Sequence, residues 1–166
     1  AAELDLYAVA ADPDGGVFFA SSPEGRVYHS SEDGPPTVRF DPSDTYIWSL
    51  ALGHNGVLYV GTGNPARVYR LPPAGDPELL FESDATHVLS LAVTDDGNVL
   101  AGTESPGQVV RISSDGRPFV LLDSSYEEIR ALRPQPDGSI LAVAVSADSA
   151  LTGQSAASSS EPALVA

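Results

Sequence analysis

The sequence predicts an all-β fold built of short strands that repeat about every 41 residues, and three observations carry that prediction. The turn glycines Gly16, Gly56, Gly97 and Gly138 fall 40, 41 and 41 residues apart. A second marker keeps the step: Val27, Val68 and Val109 each follow a Ser-Pro or Asn-Pro segment and lie 41 apart. The apolar runs are four to six residues long and end in Gly, Pro or Asp, which favours strands over helices. A period near 40 made of such runs is the pattern of β-propeller blades, four-stranded sheets set face to face around an axis. About three and a half blades are expected, at 6–46, 47–87, 88–128 and, in part, 129–145.

The second repeat serves as template. Ile47 to Leu52 reads as a first strand, and Gly53-His54-Asn55-Gly56 as its hairpin turn, because Asn and Gly both tolerate positive φ. Val57 to Val60 is apolar on both faces, as befits a strand covered on both sides by neighbouring blades. Gly61-Thr62-Gly63-Asn64-Pro65 reads as a loop rich in breakers. Val68 to Leu71 is a third strand, and Glu78 to Phe81 an outer fourth, where proline and charge suit an edge. The third repeat follows as Val88 to Val93, Val99 to Ala101, a loop from Gly102 to Gly107, Val109 to Ile112 and Phe119 to Leu122. The first repeat is Leu6 to Ala11, Val17 to Ala20, Val27-Tyr28 and Val38 to Phe40; a fourth opens at Ile129 and continues through Ile140 to Val145.

There the register stops. Residues 146–166 are Ser/Ala-rich and read as a linker or disordered tail. Propellers close with four to eight blades, so an open array leaves blade faces and a strand edge bare. The missing initiator methionine and the lost register lead to the expectation of a piece of a longer chain, whose remaining blades, or a second copy, complete the array.

Composition narrows the function classes. The 166 residues carry 23 acids against 8 arginines, with no lysine, for a formal charge of −15. Such a field repels phosphate backbones and disfavours nucleic acid, while it attracts cations or basic partners. No apolar run approaches the roughly 20 residues that span a bilayer, so no membrane insertion by this segment is expected. Ala1 opens no basic and apolar leader. The absence of cysteine removes disulfides, thiolate metal sites and cysteine nucleophiles, and leaves the compartment open.

The segments Ile47-Trp48-Ser49-Leu50-Ala51, Asn55-Gly56-Val57-Leu58-Tyr59-Val60-Gly61-Thr62 and Arg67-Val68-Tyr69-Arg70-Leu71 resemble the two-component-regulator type of propeller repeat. Leu89-Ser90-Leu91, Asp96-Gly97 and Gly102-Thr103 repeat the match, and the likeness covers about residues 6 to 145. The repeats are similar also to virginiamycin-lyase-like and NHL-type propellers. They lack the Trp-Asp ending of WD repeats. The first family implies an extracytoplasmic sensing or binding role. The lyase family implies a metal-assisted elimination using histidines and a glutamate, no pair of which can be placed on this chain.

The three histidines form no ligand spacing: His29 ends a third strand, His54 sits solvated in a turn, and His87 enters a first strand. The Asp-Gly turns are explained by turn geometry, and no cofactor or metal is expected. Serine-hydrolase and phosphate-binding fingerprints are absent. In a propeller the entry loops and the loops between second and third strands share one face at the channel mouth. Tyr46, Trp48, Asn64, Asp84, His87, Glu104, Tyr126, Glu127 and Glu128 fall on that face. Aromatics and carboxylates converging there are ingredients of a ligand site. Trp48 suits inter-blade core equally well, His87 an ordinary loop position, and Tyr126 to Glu128 a solvated loop. The expectation is a non-enzymatic module that binds a protein, peptide or glycan through this face. The alternative is part of a lyase- or lactonase-type propeller enzyme whose catalytic residues lie in other blades.

Overall fold

The computed structural model describes residues 5–22, 25–31, 34–44, 46–146 and 163–165. No helix occurs among them. Three four-stranded antiparallel blades follow one another. Blade 1 holds β1 (Asp5–Ala11), β2 (Val17–Ser22), β3 (Val27–Ser30) and β4 (Thr37–Phe40). Blade 2 holds β5 (Tyr46–Leu52), β6 (Leu58–Gly63), β7 (Ala66–Leu71) and β8 (Glu78–Ser83). Blade 3 holds β9 (His87–Val93), β10 (Val99–Glu104), β11 (Gln108–Ile112) and β12 (Pro118–Asp123). A fourth sheet pairs β13 (Glu128–Pro134) with β14 (Ile140–Val145).

Of the Ser/Ala-rich segment 146–166, the described part is Ser146 and 163–165. The latter residues form β15 (Ala163–Val165), which pairs antiparallel with β14 in the place of a third strand. The linker or tail reading therefore does not extend to β15, and the rest of that segment lies outside the described residues.

Each hairpin turn joining first and second strands is built the same way. Gly53 N–H donates to the Val57 carbonyl at 2.8 Å, and Gly56 N–H to the Gly53 carbonyl at 3.1 Å. Gly56 alone takes the left-handed conformation, at φ 69°, and Asn55 does not. The turn is thus a three-residue loop, His54 to Gly56, ending in a left-handed glycine, and Asn55 does not use the positive φ that it tolerates. Gly97 and Gly138 fill the same slot. In blade 1 the slot belongs to Gly15, whose N–H bonds the Asp12 carbonyl, so the structural period is a strict 41 and Gly16 lies one residue beyond it.

The second strands reach further than the glycines suggested. β6 runs through Gly61, Thr62 and Gly63, and β10 through Gly102 to Glu104, leaving short connections at Asn64-Pro65 and 105–107. Here glycine marks close approach, not a turn. A Cβ on Gly61 would lie 2.3 Å from Ser49 Oγ and 2.8 Å from Val88 Cγ1; one on Gly102 would lie 2.3 Å from Ser90 Oγ and 2.6 Å from Ile129 Cγ2. Into the space so opened, Ser49 Oγ donates to the Val88 carbonyl and Ser90 Oγ to the Ile129 carbonyl, each at 2.9 Å. In blades 2 and 3 one hydroxyl thereby fastens the next blade.

Three apolar layers fill the spaces between blades. Ala20, Val27, Ile47, Leu58, Val60 and Leu71 pack blade 1 on blade 2. Val68, Phe81, Val88, Val99, Val110 and Ile112 belong to the layer between blades 2 and 3. Val109, Ile129, Ala142 and Ala144 join blade 3 to the fourth sheet. Ile47, Val88 and Ile129, which occupy one repeat position, are at most 1% exposed, whereas Leu6 at that position in blade 1 is 63% exposed.

Candidate functional site

Two neighbouring loops of successive blades are tied together at one end of the array. Asn64 N–H donates to the Thr86 carbonyl at 3.0 Å, and Ser105 N–H to the Glu127 carbonyl at 2.9 Å. The connections after second strands and the entries to first strands therefore share a face, as the architecture requires. On it a single hydrogen-bonded rung crosses from blade 2 to the fourth sheet: Tyr46 pairs with Gly63, Gly63 with His87, His87 with Glu104, and Glu104 with Glu128. The links Gly63 to His87 and Glu104 to Glu128 are each one residue pair long; they join blades 2 and 3 and the fourth sheet at the mouth into one hydrogen-bonded sheet of eleven strands, while blade 1 remains a separate sheet of four.

A second transverse row comes from a β-bulge that every first strand carries. The pairing skips Tyr7 between Leu6 and Ala8, Trp48 between Ile47 and Ser49, and Arg130 between Ile129 and Ala131; in β9 it skips Leu89. These four residues are 41 apart. A bulge re-aims the side chain it carries, and here it frees that residue from the alternation that packs its neighbours.

Rung and bulges meet in an aromatic cluster. Trp48 stacks on Tyr46 with centroids 5.7 Å apart, meets Tyr7 edge-on at 5.0 Å and lies 5.1 Å from the His87 ring. Four rings from three successive first strands thus touch. Gly63 makes the room, since a Cβ there would stand 2.0 Å from His87 Nδ1 and 2.6 Å from Trp48 Nε1. Both nitrogens are buried and neither has a hydrogen-bond partner among the described residues. Further along the rung, His87 Nε2 lies 4.0 Å from Glu104 Oε2. Glu128 is buried and accepts from Arg130 Nε.

The structure therefore brings together Tyr46, Trp48, His87, Glu104 and Glu128 of the residues singled out in the sequence. Trp48 is half-buried within the ring cluster and belongs to none of the three inter-blade layers. Asn64 is exposed at φ 52° beside a cis bond to Pro65, and its N–H serves the blade junction. Asp84 and Glu127 are exposed. Tyr126 is half-buried against the layer joining blade 3 to the fourth sheet. His54 is solvated, with Asp95 at 3.7 Å. His29 Nε2 lies 2.8 Å from Asp12 Oδ2 at the opposite end of blade 1. Tyr7, Leu89 and Arg130 were not picked out from sequence, although their 41-residue spacing from Trp48 could have found them.

A buried ionic knot supports the face from behind. Asp44, 4% exposed, accepts from Thr62 Oγ1 at 2.9 Å and from Arg67 Nη1 at 2.8 Å, while Arg67 Nε reaches Glu82 Oε2 at 2.5 Å. The Glu82 bond, with the Asp44 charge adding to it, holds the Arg67 guanidinium above its ordinary range. Burial first, then Asp44, raises the Tyr69 phenol. Among the described residues no three His, Asp or Glu side chains gather as metal ligands.

No protein-family model and no curated protein sequence matches the chain. Solved structures do. The virginiamycin B lyase of Staphylococcus aureus superposes with a TM-score of 0.73 at 14% identity, over 82% of this chain and 48% of that one. A chain of a nidogen/laminin complex gives 0.71 at 16% identity, over 84% and 56%. A calcium-binding protein, regucalcin, from Agrobacterium tumefaciens gives 0.66 at 18% identity, over 87% and 54%.

The chain is a partial β-propeller. It spans about half the length of the propeller chains it matches, and at these identities the likeness is one of fold. The propeller neighbours include enzymes as well as other proteins, so the function has to be argued from the mouth residues themselves.

Proposed function

We propose that this propeller segment is a non-enzymatic binding module that recognises a protein, peptide or glycan through the channel-mouth face. One observation carries the reading: the repeats agree where they hold each other and differ where they meet solvent at the mouth. The position before the bulge is Leu6, Ile47, Val88 and Ile129, always a large aliphatic. The bulge itself is Tyr7, Trp48, Leu89 and Arg130, and the first-strand entry is Asp5, Tyr46, His87 and Glu128. Packing imposes no common residue type there, and the aromatic share suits recognition. The orphaned nitrogens of Trp48 and His87 support it further, since buried unsatisfied polar atoms are kept in native proteins for a reason.

Peptide and glycan arrays probed with the fluorescently labelled chain test this. The expected result is a restricted set of positive spots that Trp48→Ala and Tyr7→Ala each abolish while thermal unfolding stays cooperative. Identical spot patterns for the parent chain and both variants would place recognition elsewhere and end the proposal.

A further inference from the structure

Of the carboxylates at the mouth, Asp84 and Glu127 stand exposed in the loops, whereas Glu104 lies half-buried beside the rings. Glu128 is buried and paired with Arg130, so that end of the rung is internally compensated. At the other end the rings of Tyr46, Trp48 and His87 form an apolar wall. Glu104 stands between them. Its carboxylate is one-quarter exposed, and its nearest cation-capable neighbour is His87 Nε2 at 4.0 Å, beyond hydrogen-bond reach. By repeat position Glu104 corresponds to Gly63, so the junction that admits rings between blades 2 and 3 presents a charge between blade 3 and the fourth sheet.

We infer that, if the mouth is the binding face as proposed above, its ligand is a polypeptide whose arginine side chain stacks on the aromatic wall and pairs with Glu104. A guanidinium is planar, stacks on aromatic faces and donates a fork of hydrogen bonds to a carboxylate. A lysine ammonium offers a point charge without the plane and leaves the ring wall unused. The formal charge of −15 draws such a peptide in from a distance, but the rings and Glu104 decide what is held.

Trp48 is the sole tryptophan, so its emission reports on the mouth alone. The test titrates the chain with acetyl-Gly-Arg-Gly-amide and with the citrulline counterpart, which keeps shape and loses charge, reading Trp48 fluorescence and calorimetric heat at low and physiological salt. The expected result is saturable binding of the arginine peptide, at least tenfold weaker binding of the citrulline peptide, and a loss of tenfold or more in Glu104→Gln. Asp115→Asn removes the same charge from the opposite turn face and should change affinity less than twofold. Equal affinity for the two peptides, or equal losses in Glu104→Gln and Asp115→Asn, would reduce the effect to diffuse attraction and overturn the inference. A neutral oligosaccharide, cellotetraose, separates the two levels. If it shifts Trp48 emission and the arginine peptide does not, the mouth binds but the arginine assignment is wrong. If no probe moves the emission or gives heat, both readings fall.

Discussion

The blade junction makes a quantitative claim that a double-mutant cycle can test. Ser49 and Gly61 meet across the blade 2 to blade 3 interface, where the glycine hydrogen side faces Ser49 Oγ and Val88. Ser49→Ala removes the hydrogen bond to the Val88 carbonyl, which costs about 1 kcal/mol net. Gly61→Ala places a methyl 2.3 Å from Ser49 Oγ and 2.8 Å from Val88 Cγ1. Overpacking of this kind costs about 1–3 kcal/mol, partly offset by the roughly 0.5–1 kcal/mol that alanine gains over glycine within a strand. Independent effects would sum to about 2–3 kcal/mol. They should not sum. Removing the hydroxyl removes the nearest collision and leaves Val88, whose Cγ1 and Cβ stand 2.8 and 3.1 Å from the new methyl. The double variant should therefore be more stable than the sum by about 1 kcal/mol. Blade 1 supports this, since Ala8 and Ala20 stand at these two positions and Ile47 is buried against Ala20. Urea unfolding followed by circular dichroism gives each stability. Additivity within about 0.3 kcal/mol would refute the claim that these two residues set the blade spacing.

Two further perturbations bear on the frame. Asp44→Ala leaves Arg67 and Thr62 without their buried acceptor. Because Arg67 is one-quarter exposed, the loss should fall toward the low end for a broken buried pair, about 2–3 kcal/mol, and a melting temperature unchanged from the parent would contradict the buried knot. On acidification, Asp96, Asp115 and Asp137 are held below the ordinary carboxylate range chiefly by the hydroxyls of Thr94, Ser113 and Ser139. A depressed folded pKa means the stabilisation is complete above the unfolded value near 4 and drains away as pH falls through the lower folded values. The urea midpoint should drop as pH falls below about 4, and less steeply in Asp96→Asn; a parallel decline in that variant would show that the turn bonds do not contribute.

Much of this architecture was legible because the repeat carries its own internal control. The strands of blades 2 and 3, their two-sided burial and the shared loop face followed from the 41-residue step. What stayed hidden traces to residues with two physical meanings. Gly61 and Gly102 looked like loop glycines, since a sequence cannot distinguish a glycine needed for positive φ from one needed for close approach. Neither takes positive φ, and both lie inside strands. The bulges were invisible because an extra residue in a first strand leaves the apolar pattern on either side intact. Asp44 was hidden by distance, since its partners Thr62 and Arg67 lie 18 and 23 residues away and the later blades have Ala85 and Tyr126 in its place; yet the 41-residue step could have found it, because Glu3, Ser21 and Arg26 repeat the same residue types one period earlier.

The same logic explains why recognition would concentrate at the mouth rather than in the grooves between blades at the turn end. A repeat array is held by neighbour contacts, so every position that touches the next blade is constrained by two blades at once. The residues before the bulge and the Ser–Gly seats obey that constraint. A bulged residue escapes it: Trp48 departs from the ladder, reaches Tyr7 on one side and His87 on the other, and spends its burial on ring contacts. Those contacts leave its indole N–H, and the neighbouring His87 Nδ1, without an acceptor or donor, at a cost of about 1–3 kcal/mol for each buried orphan. A frame that fastens blades 2 and 3 to their successors with one well-placed hydroxyl each has no structural need for that arrangement. Leu89, in the same bulge one blade on, shows that an aliphatic serves the fold. Under the proposed binding role, the aromatic cluster and Glu104 beside it answer to what they would meet rather than to what they hold.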